Sequence, residues 1–275
     1  GHAIFFGTGA YTAGILVTKL GVSAWWGLAF GGIVSMLIAL FVGWVCFRLR
    51  GPYFALATLA GGEIIRLVAT NWESLTEGMV GILIIQSFRS KLPYYYIALA
   101  LAVLCIYVTD VVMKSKWGFY FVSIREDQDA AESLGVSALR HKLLALGVSS
   151  FLAGIIGGAF AFYHVGYYPN LPFGPLWSFD TVTIVFIGGT GTIIGPIIGG
   201  VFFVLLKELL SLKLVGIELL GIELGEIHPA IFGTLFILVV LFLPGGLVEA
   251  WSRLRDAFAH RLRKQRTRSL PQGAG

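Results

Sequence analysis

Apolar residues run along this chain in blocks of membrane length, separated by short polar breaks. The blocks cover 3–19, 24–47, 52–70, 93–113, 143–163 and 229–248, with very few charges inside them. A helix needs about 20 such residues to cross the hydrocarbon of a bilayer, so each block predicts a spanning helix. One further apolar stretch, 179–210, has "IGGTGTIIGPIIGG" in its middle, where Gly188, Gly189, Gly191, Gly195 and Pro196 break any single helix. The short alternating segments of a membrane β-barrel are not seen. The pattern predicts an all-α polytopic integral membrane protein: about six full transmembrane helices plus a Gly-broken re-entrant helix pair. The membrane domain covers 1–250, with a charged loop at 115–142, and a basic tail covers 251–275.

Composition agrees. Hydrophobic residues make up 57% of the 275 and charged residues 13%, against roughly a quarter charged in a soluble domain. Mean hydropathy is +0.84. The 36 glycines suit close helix packing in lipid. The chain opens at Gly1, inside an apolar run, which reads as a fragment lacking its natural N-terminus.

The placement of charge sets orientation, because basic loops stay cytoplasmic. Arg48 and Arg50 close one block; Lys114, Lys116, Arg125, Arg140 and Lys142 lie in or beside the charged loop; arginines crowd the tail. All three groups are expected inside, whereas loops 71–92 and 164–178, with only Arg89 and Lys91, are expected outside. Parity then makes 179–210 begin and end outside: a half-helix of about 18 Å over 179–190, a Gly turn and a return helix. The rival is two full crossings with 207–224 as an extra span, which the charges there make costly. Trp25, Trp26, Trp72, Trp177 and Trp251, with Tyr94–Tyr96 and Tyr167–Tyr168, sit at predicted span ends as an aromatic belt. The tail is expected on anionic inner-leaflet lipid.

The glycines of 179–210 admit two readings. Irregular backbone near the midplane recurs in transport paths, while Gly195–Gly199 and Gly154–Gly158 have the GxxxG spacing of tight helix crossings. The opening "GHAIFFGTGAYTAGIL" has a similar texture. Residues expected along a path are Gly7, Gly9, Glu63, Gly188, Gly189, Gly191 and Gly195.

The charged loop contains "FVSIREDQDAAESLGVSALRHK" at 121–142. Ser123 followed by Glu126 has capping-box spacing, and Gly135 stands where a left-handed helix C′ residue is expected, which predicts a helix over 124–134. At 100° per residue Ile124, Ala130, Ala131 and Leu134 fall on one side; Arg125, Glu126, Asp129 and Glu132 fall on the other. Such a helix is either a solvated connector or an element that fits a groove on a soluble partner.

"SIREDQDAAESLGV" resembles the cytoplasmic coupling loop of permeases from ABC importers. More closely, the chain resembles the LivM type of branched-chain amino acid permease. "GHAIFFGTGAY", "GPYFALATLA" and "VFIGGTGTIIGPIIGG" are similar to that family's opening, mid-chain and late Gly-rich motifs, in the family's order. "LTEGMVGI" departs from the pattern, with Glu77 where the family usually has a small residue. The resemblance implies that Glu126, Asp129, Ala130, Ala131 and Gly135, with Ser123 and Arg125 in the same loop, dock on an ATPase. It also implies a homologous permease partner, two ABC ATPase subunits, an extracytoplasmic substrate-binding protein and leucine, isoleucine or valine as cargo. The setting is the inner membrane of a bacterium or archaeon, with the C-terminus cytoplasmic. ATP and Mg would be bound in the partner subunits.

The chain's own chemistry is sparse. A P-loop needs Gly-Lys, and no Gly-Lys pair occurs, so no cofactor is expected in this chain and it is not expected to be an enzyme. The five histidines lack metal-ligand spacing, no metal site is expected, and Cys46 and Cys105 lie in apolar blocks. No nucleic-acid partner is expected. Glu63 and Arg66, at i,i+3, read either as a neutralised pair or as a proton relay or polar substrate contact. The alternative function is a stand-alone secondary transporter, with Glu63, Arg66 or Asp110 as coupling groups, or a channel, for a small solute such as an amino acid, amide or urea.

Overall fold

The computed structural model describes residues 1–49, 51–84, 90–164 and 166–214, with 218–219, 222–223, 233–234, 237, 246–249 and 255. The expected 229–248 span and the 251–275 tail lie almost entirely outside these residues. Among the described residues, five helices are long and apolar enough to cross a membrane. They are α1 (Ala3–Leu20), α2 (Ala24–Cys46), α3 (Pro52–Asn71), α5 (Leu92–Lys114) and α8 (Ala138–Tyr163), with a single turn, α4 (Glu73–Thr76), after α3. The predicted blocks match these spans closely, except that α8 begins five residues before 143.

The core of the first unit, Gly1–Ser178, is the packing of α1, α2 and α8. Lipid offers no hydrophobic drive to bring helices together, so they associate by close contact and polar bonds. Glycines supply the closeness. A Cβ on Gly9 would fall on the Gly154 carbonyl; one on Gly31 would lie 2.9 Å from the Gly9 oxygen; one on Gly154 would lie 2.7 Å from the Gly31 oxygen. Three backbones thus meet where no side chain fits. Ser35, wholly buried, donates to the Phe5 carbonyl at 2.8 Å and ties α2 to α1. By contrast α3 buries only Ala69 and α5 only Tyr94, so both helices turn most of their apolar surface outward, as lipid-facing spans do.

The two loops expected on the outer side meet each other. Strand β1 (Ile82–Leu83) pairs antiparallel with β2 (Gly166–Tyr167), Ile82 opposite Tyr167. That pairing requires both loops to lie on one face, as the charge asymmetry predicts. Tyr167 plugs the joint: its hydroxyl donates to the Ala10 carbonyl at 2.8 Å and its ring meets Tyr11 edge-on. Burial, chiefly, pushes its phenol pKa up, so it remains a donor. Lys19 at the end of α1 pairs with Glu77 at 2.8 Å and donates to the Ser74 carbonyl at 2.7 Å. Glu77, the departure from the family motif, is the non-glycine residue with positive φ (60°) among those described; its ion pair offsets a conformation that glycine holds without strain. The aromatic belt is partly corrected: Tyr94 and Tyr167 are buried in the core, because the strand pair and the α5–α8 contact enclose them, while Trp25, Trp26, Trp72, Tyr95, Tyr96 and Tyr168 are exposed. Trp177 packs against Phe6 and donates to the Leu171 carbonyl at 2.8 Å.

In the chain's later part, α9 (Pro175–Gly188) and α10 (Gly195–Leu214) form a hairpin. Its 14-residue arm rises about 21 Å, short of the roughly 30 Å hydrocarbon core. The break falls where the glycines predict, although α9 begins four residues before 179. Gly189 (φ 124°) and Gly191 (φ 79°) take conformations closed to other residues. Thr192 closes the turn, donating to the Gly189 carbonyl at 3.1 Å and accepting from the Gly195 amide at 3.0 Å. Cβ atoms on Gly188 and Gly199 would fall on the Gly195 and Ile184 carbonyls, and Lys207 reaches Asp180 across the pair at 3.5 Å. Of the rival extra span over 207–224, the described residues show α10 as far as Leu214 and Glu218–Leu219 paired antiparallel with Ile222–Glu223; the rest of it lies outside the described residues.

Gly154→Leu is expected to lower stability by about 1–3 kcal/mol through overpacking, read as a lower thermal midpoint in detergent. Gly61→Ala, whose added methyl would have its nearest neighbour at 3.9 Å, is expected to leave that midpoint unchanged.

Candidate functional site

The charged loop folds as two short helices rather than one. Helix α5 ends at Lys114 and the chain turns sharply: Ser115 is extended (ψ 171°) and its Oγ accepts from the Trp117 amide at 3.2 Å, opening α6 (Lys116–Glu126). Gly118 permits the corner, since a Cβ there would fall on the Met113 carbonyl. At Asp127 the backbone is again extended (φ −153°, ψ 111°), and α7 (Gln128–Ser133) begins. Asp127 Oδ1 accepts from the Ala130 amide at 3.0 Å, so Asp127 is the N-cap. The expected Ser123–Glu126 capping box is not formed. Ser123 lies inside α6 and donates to the Tyr120 carbonyl at 2.9 Å, while Glu126 pairs with Arg125 at 2.7 Å.

The other end of α7 closes as predicted. Gly135 is left-handed (φ 87°); its amide donates to the Glu132 carbonyl at 2.9 Å and the Val136 amide to the Ala131 carbonyl at 3.0 Å. These are the two bonds of a Schellman motif. Val136 then packs on a buried cluster of Ile124, Ala131 and Ala138, one from each of α6, α7 and α8. Lys142 on α8 donates to Gln128 Oε1 at 2.6 Å. The loop is therefore braced at its start, middle and end against the base of α8.

That cluster corrects the expected apolar face. Ile124 and Ala131 point inward, but Ala130 is exposed and Leu134 is 85% exposed. The break at Asp127 rotates α7 relative to α6, so a single helical wheel does not apply. The surface turned to solvent is Glu126, Asp129, Ala130, Glu132, Leu134 and Gly135: a small-residue ledge with one apolar side chain, rimmed by carboxylates. Leu134, placed from sequence on the inward apolar side with Ile124 and Ala131, stands instead on the exposed surface just before the capping glycine.

The residues expected along a path separate by unit. In the first, Gly7 and Gly9 are buried in the helix seams, where Cβ atoms would fall on the Phe173 ring and the Gly154 carbonyl. Glu63 pairs with Arg66 at 2.9 Å, and Arg66 also donates to Asn170, which ties α3 to the loop carrying β2. Gly188, Gly189, Gly191 and Gly195 form the turn of the α9–α10 hairpin. Tyr11 Oη and Ser150 Oγ are buried hydroxyls without a partner among the described residues, candidates that apolar periodicity had hidden.

Comparison with known proteins gives this architecture its context. The family described as the permease component of branched-chain amino acid transport systems matches residues 1–243. The chain belongs to that family. This permease is similar to the high-affinity branched-chain amino acid transport system permease protein LivM of Salmonella typhimurium, at 29% identity over 90% of this chain and 63% of that protein. It is similar to LivM of Escherichia coli at 28%, with the same coverage. Against the probable branched-chain amino acid transport permease protein LivM of Methanocaldococcus jannaschii it is 22% identical over 86% of this chain and 68% of that one. The chain thus spans 63% of the length of the first two relatives. No solved structure matches it. Membership in that family and the five apolar helices agree with a multi-pass membrane protein.

Asp127→Ala in this permease is expected to cost α7 about 1 kcal/mol and to speed hydrogen exchange at the Ala130 and Ala131 amides. Ser123→Ala, which removes no cap, is expected to leave that exchange unchanged.

Proposed function

We propose that this chain is the membrane-spanning subunit of an ABC importer in the inner membrane of a bacterium or archaeon, carrying leucine, isoleucine or valine. Energy comes from ATP hydrolysed with Mg in two separate ATPase subunits; a homologous permease completes the path, and an extracytoplasmic binding protein delivers the cargo. The basic clusters support a cytoplasmic loop 115–142 and C-terminus, with the tail on anionic lipid. One observation carries the reading: α6 and α7 are capped, cross-braced and joined without slack to α5 and α8, while Glu126, Asp129, Ala130 and Gly135 stay exposed. An isolated connector needs no such bracing, but a lever that receives a push does.

The two alanines then divide the work. Ala131 anchors α7 inside the cluster, and Ala130 lets the ATPase surface approach closely. The hairpin at Gly188–Gly195 is the re-entrant pair, and its turn glycines Gly188, Gly189, Gly191 and Gly195, like Gly7, Gly9 and Glu63 of the first unit, are path residues on this reading. Binding and release of a zwitterion need polar groups at membrane depth, and Tyr11 and Ser150 offer unsatisfied hydroxyls there.

In proteoliposomes holding the full assembly, labelled leucine uptake is expected to require ATP and the binding protein. Ala130→Arg is expected to lower it about tenfold, the factor that roughly 1.4 kcal/mol of lost docking gives, with insertion and thermal midpoint unchanged. Gradient-driven uptake by this chain alone would point to the secondary-transporter alternative.

A further inference from the structure

A cavity of about 220 Å³ lies at the end of the bundle nearest the β1–β2 pair, between the first turns of α2 and α5 and the last turns of α8. Its walls are Trp25, Leu28, Tyr94, Ile97, Ala159 and Phe162, with Ser23 at the rim. The lining is predominantly apolar, its polar side-chain groups being those of Ser23, Trp25 and Tyr94, too few to hold enough waters, at two to four partners each, to fill the volume. An empty void is also disfavoured, since its lining forgoes contacts on one side. Apolar cavities of roughly 150 Å³ already take up hydrocarbon guests, and here the surrounding medium is itself hydrocarbon. Leu28 lies four residues into α2 and Ile97 five into α5, about 6–8 Å along each helix. On the reading of α2 and α5 as membrane spans, the cavity lies among their first turns.

The neighbourhood also needs filling. Of the 23 residues of α5, only Tyr94 is buried, and it lines this cavity, meeting Tyr163 of α8 at 5.8 Å between ring centroids. Helix α5 otherwise stands away from the α1–α2–α8 core, yet it is the span that leads directly into α6 and α7.

We propose that this cavity is a lipid site, holding the upper part of a fatty-acyl chain of a phospholipid from the leaflet on the β1–β2 side. The chain completes the packing between the outer end of α5 and the core.

The test uses the full chain, assembled in native-composition bilayers doped with phosphatidylethanolamine carrying a diazirine near the carboxyl end of one acyl chain. After illumination, label is mapped by peptide mass spectrometry. The expected result is labelling of Ile97, Ala159 or Phe162 that saturates at low probe fraction, above the non-saturating labelling of the open α5 face at Val103 and Tyr107. Ala159→Trp, which fills the cavity, is expected to abolish the first and leave the second. Ile97→Trp fills it from the other wall and serves where Ala159→Trp does not fold. Absence of label on the cavity residues in the unsubstituted protein, labelling that rises linearly with probe as on the α5 face, or labelling that survives a folded filling variant would overturn the proposal.

Discussion

Everything in the first unit depends on backbone meeting backbone where Gly9, Gly31 and Gly154 cross. In a bilayer, apolar side chains gain little by leaving lipid for each other, so helices cohere only where they approach closely enough for dense contact and shared hydrogen bonds. The crossing welds α1, α2 and α8 into a block, with the Ser35–Phe5 bond as its polar fastening. Since α8 runs unbroken from Ala138 to Tyr163, the same helix that carries Gly154 in the block carries Ala138 in the cluster beneath α6 and α7. The exposed ledge thus rests, through Ala131, on the same helix that crosses the core at Gly154.

The opposite face is organised for holding still. Lys19 grips Glu77 and the Ser74 carbonyl, Tyr167 bonds the Ala10 carbonyl, and Arg66 joins Glu63 to Asn170. Each contact ties a loop to a span. The pair Glu63–Arg66 is thus used in fastening α3, a span that buries only Ala69 in its own packing. Exposed ion pairs contribute little individually, but several that share one loop restrict it together.

Much of this was legible in the sequence, for reasons that lie in the bilayer. Span length and the lack of charge leave little choice about α1, α2, α3, α5 and α8, and the glycines at 188–195 cannot continue a helix. Basic-residue placement also set loops 71–92 and 164–178 on one face before β1 and β2 were seen to pair. What failed was decided by tertiary contacts. Ser123 and Asp127 are both competent caps, and only the burial of Ile124 against Ala131 and Ala138 chooses Asp127. Tyr94 and Tyr167 look like interfacial anchors because composition cannot distinguish a ring facing lipid from one enclosed by a two-residue strand pair. Leu134 sat on the wrong side of a helical wheel drawn through a break.

The proposed rigid lever can be observed directly. With spin labels at Ser133 on α7 and Ile156 on α8, both solvent- or lipid-facing positions, the interlabel distance distribution can be recorded in the assembled transporter without nucleotide and with nucleotide trapped. If α6, α7 and α8 move as one body, the two distributions coincide while distances from Ser133 to a label on the ATPase change. A shift in the Ser133–Ile156 distribution on trapping would show that the lever bends at its root, and would contradict it.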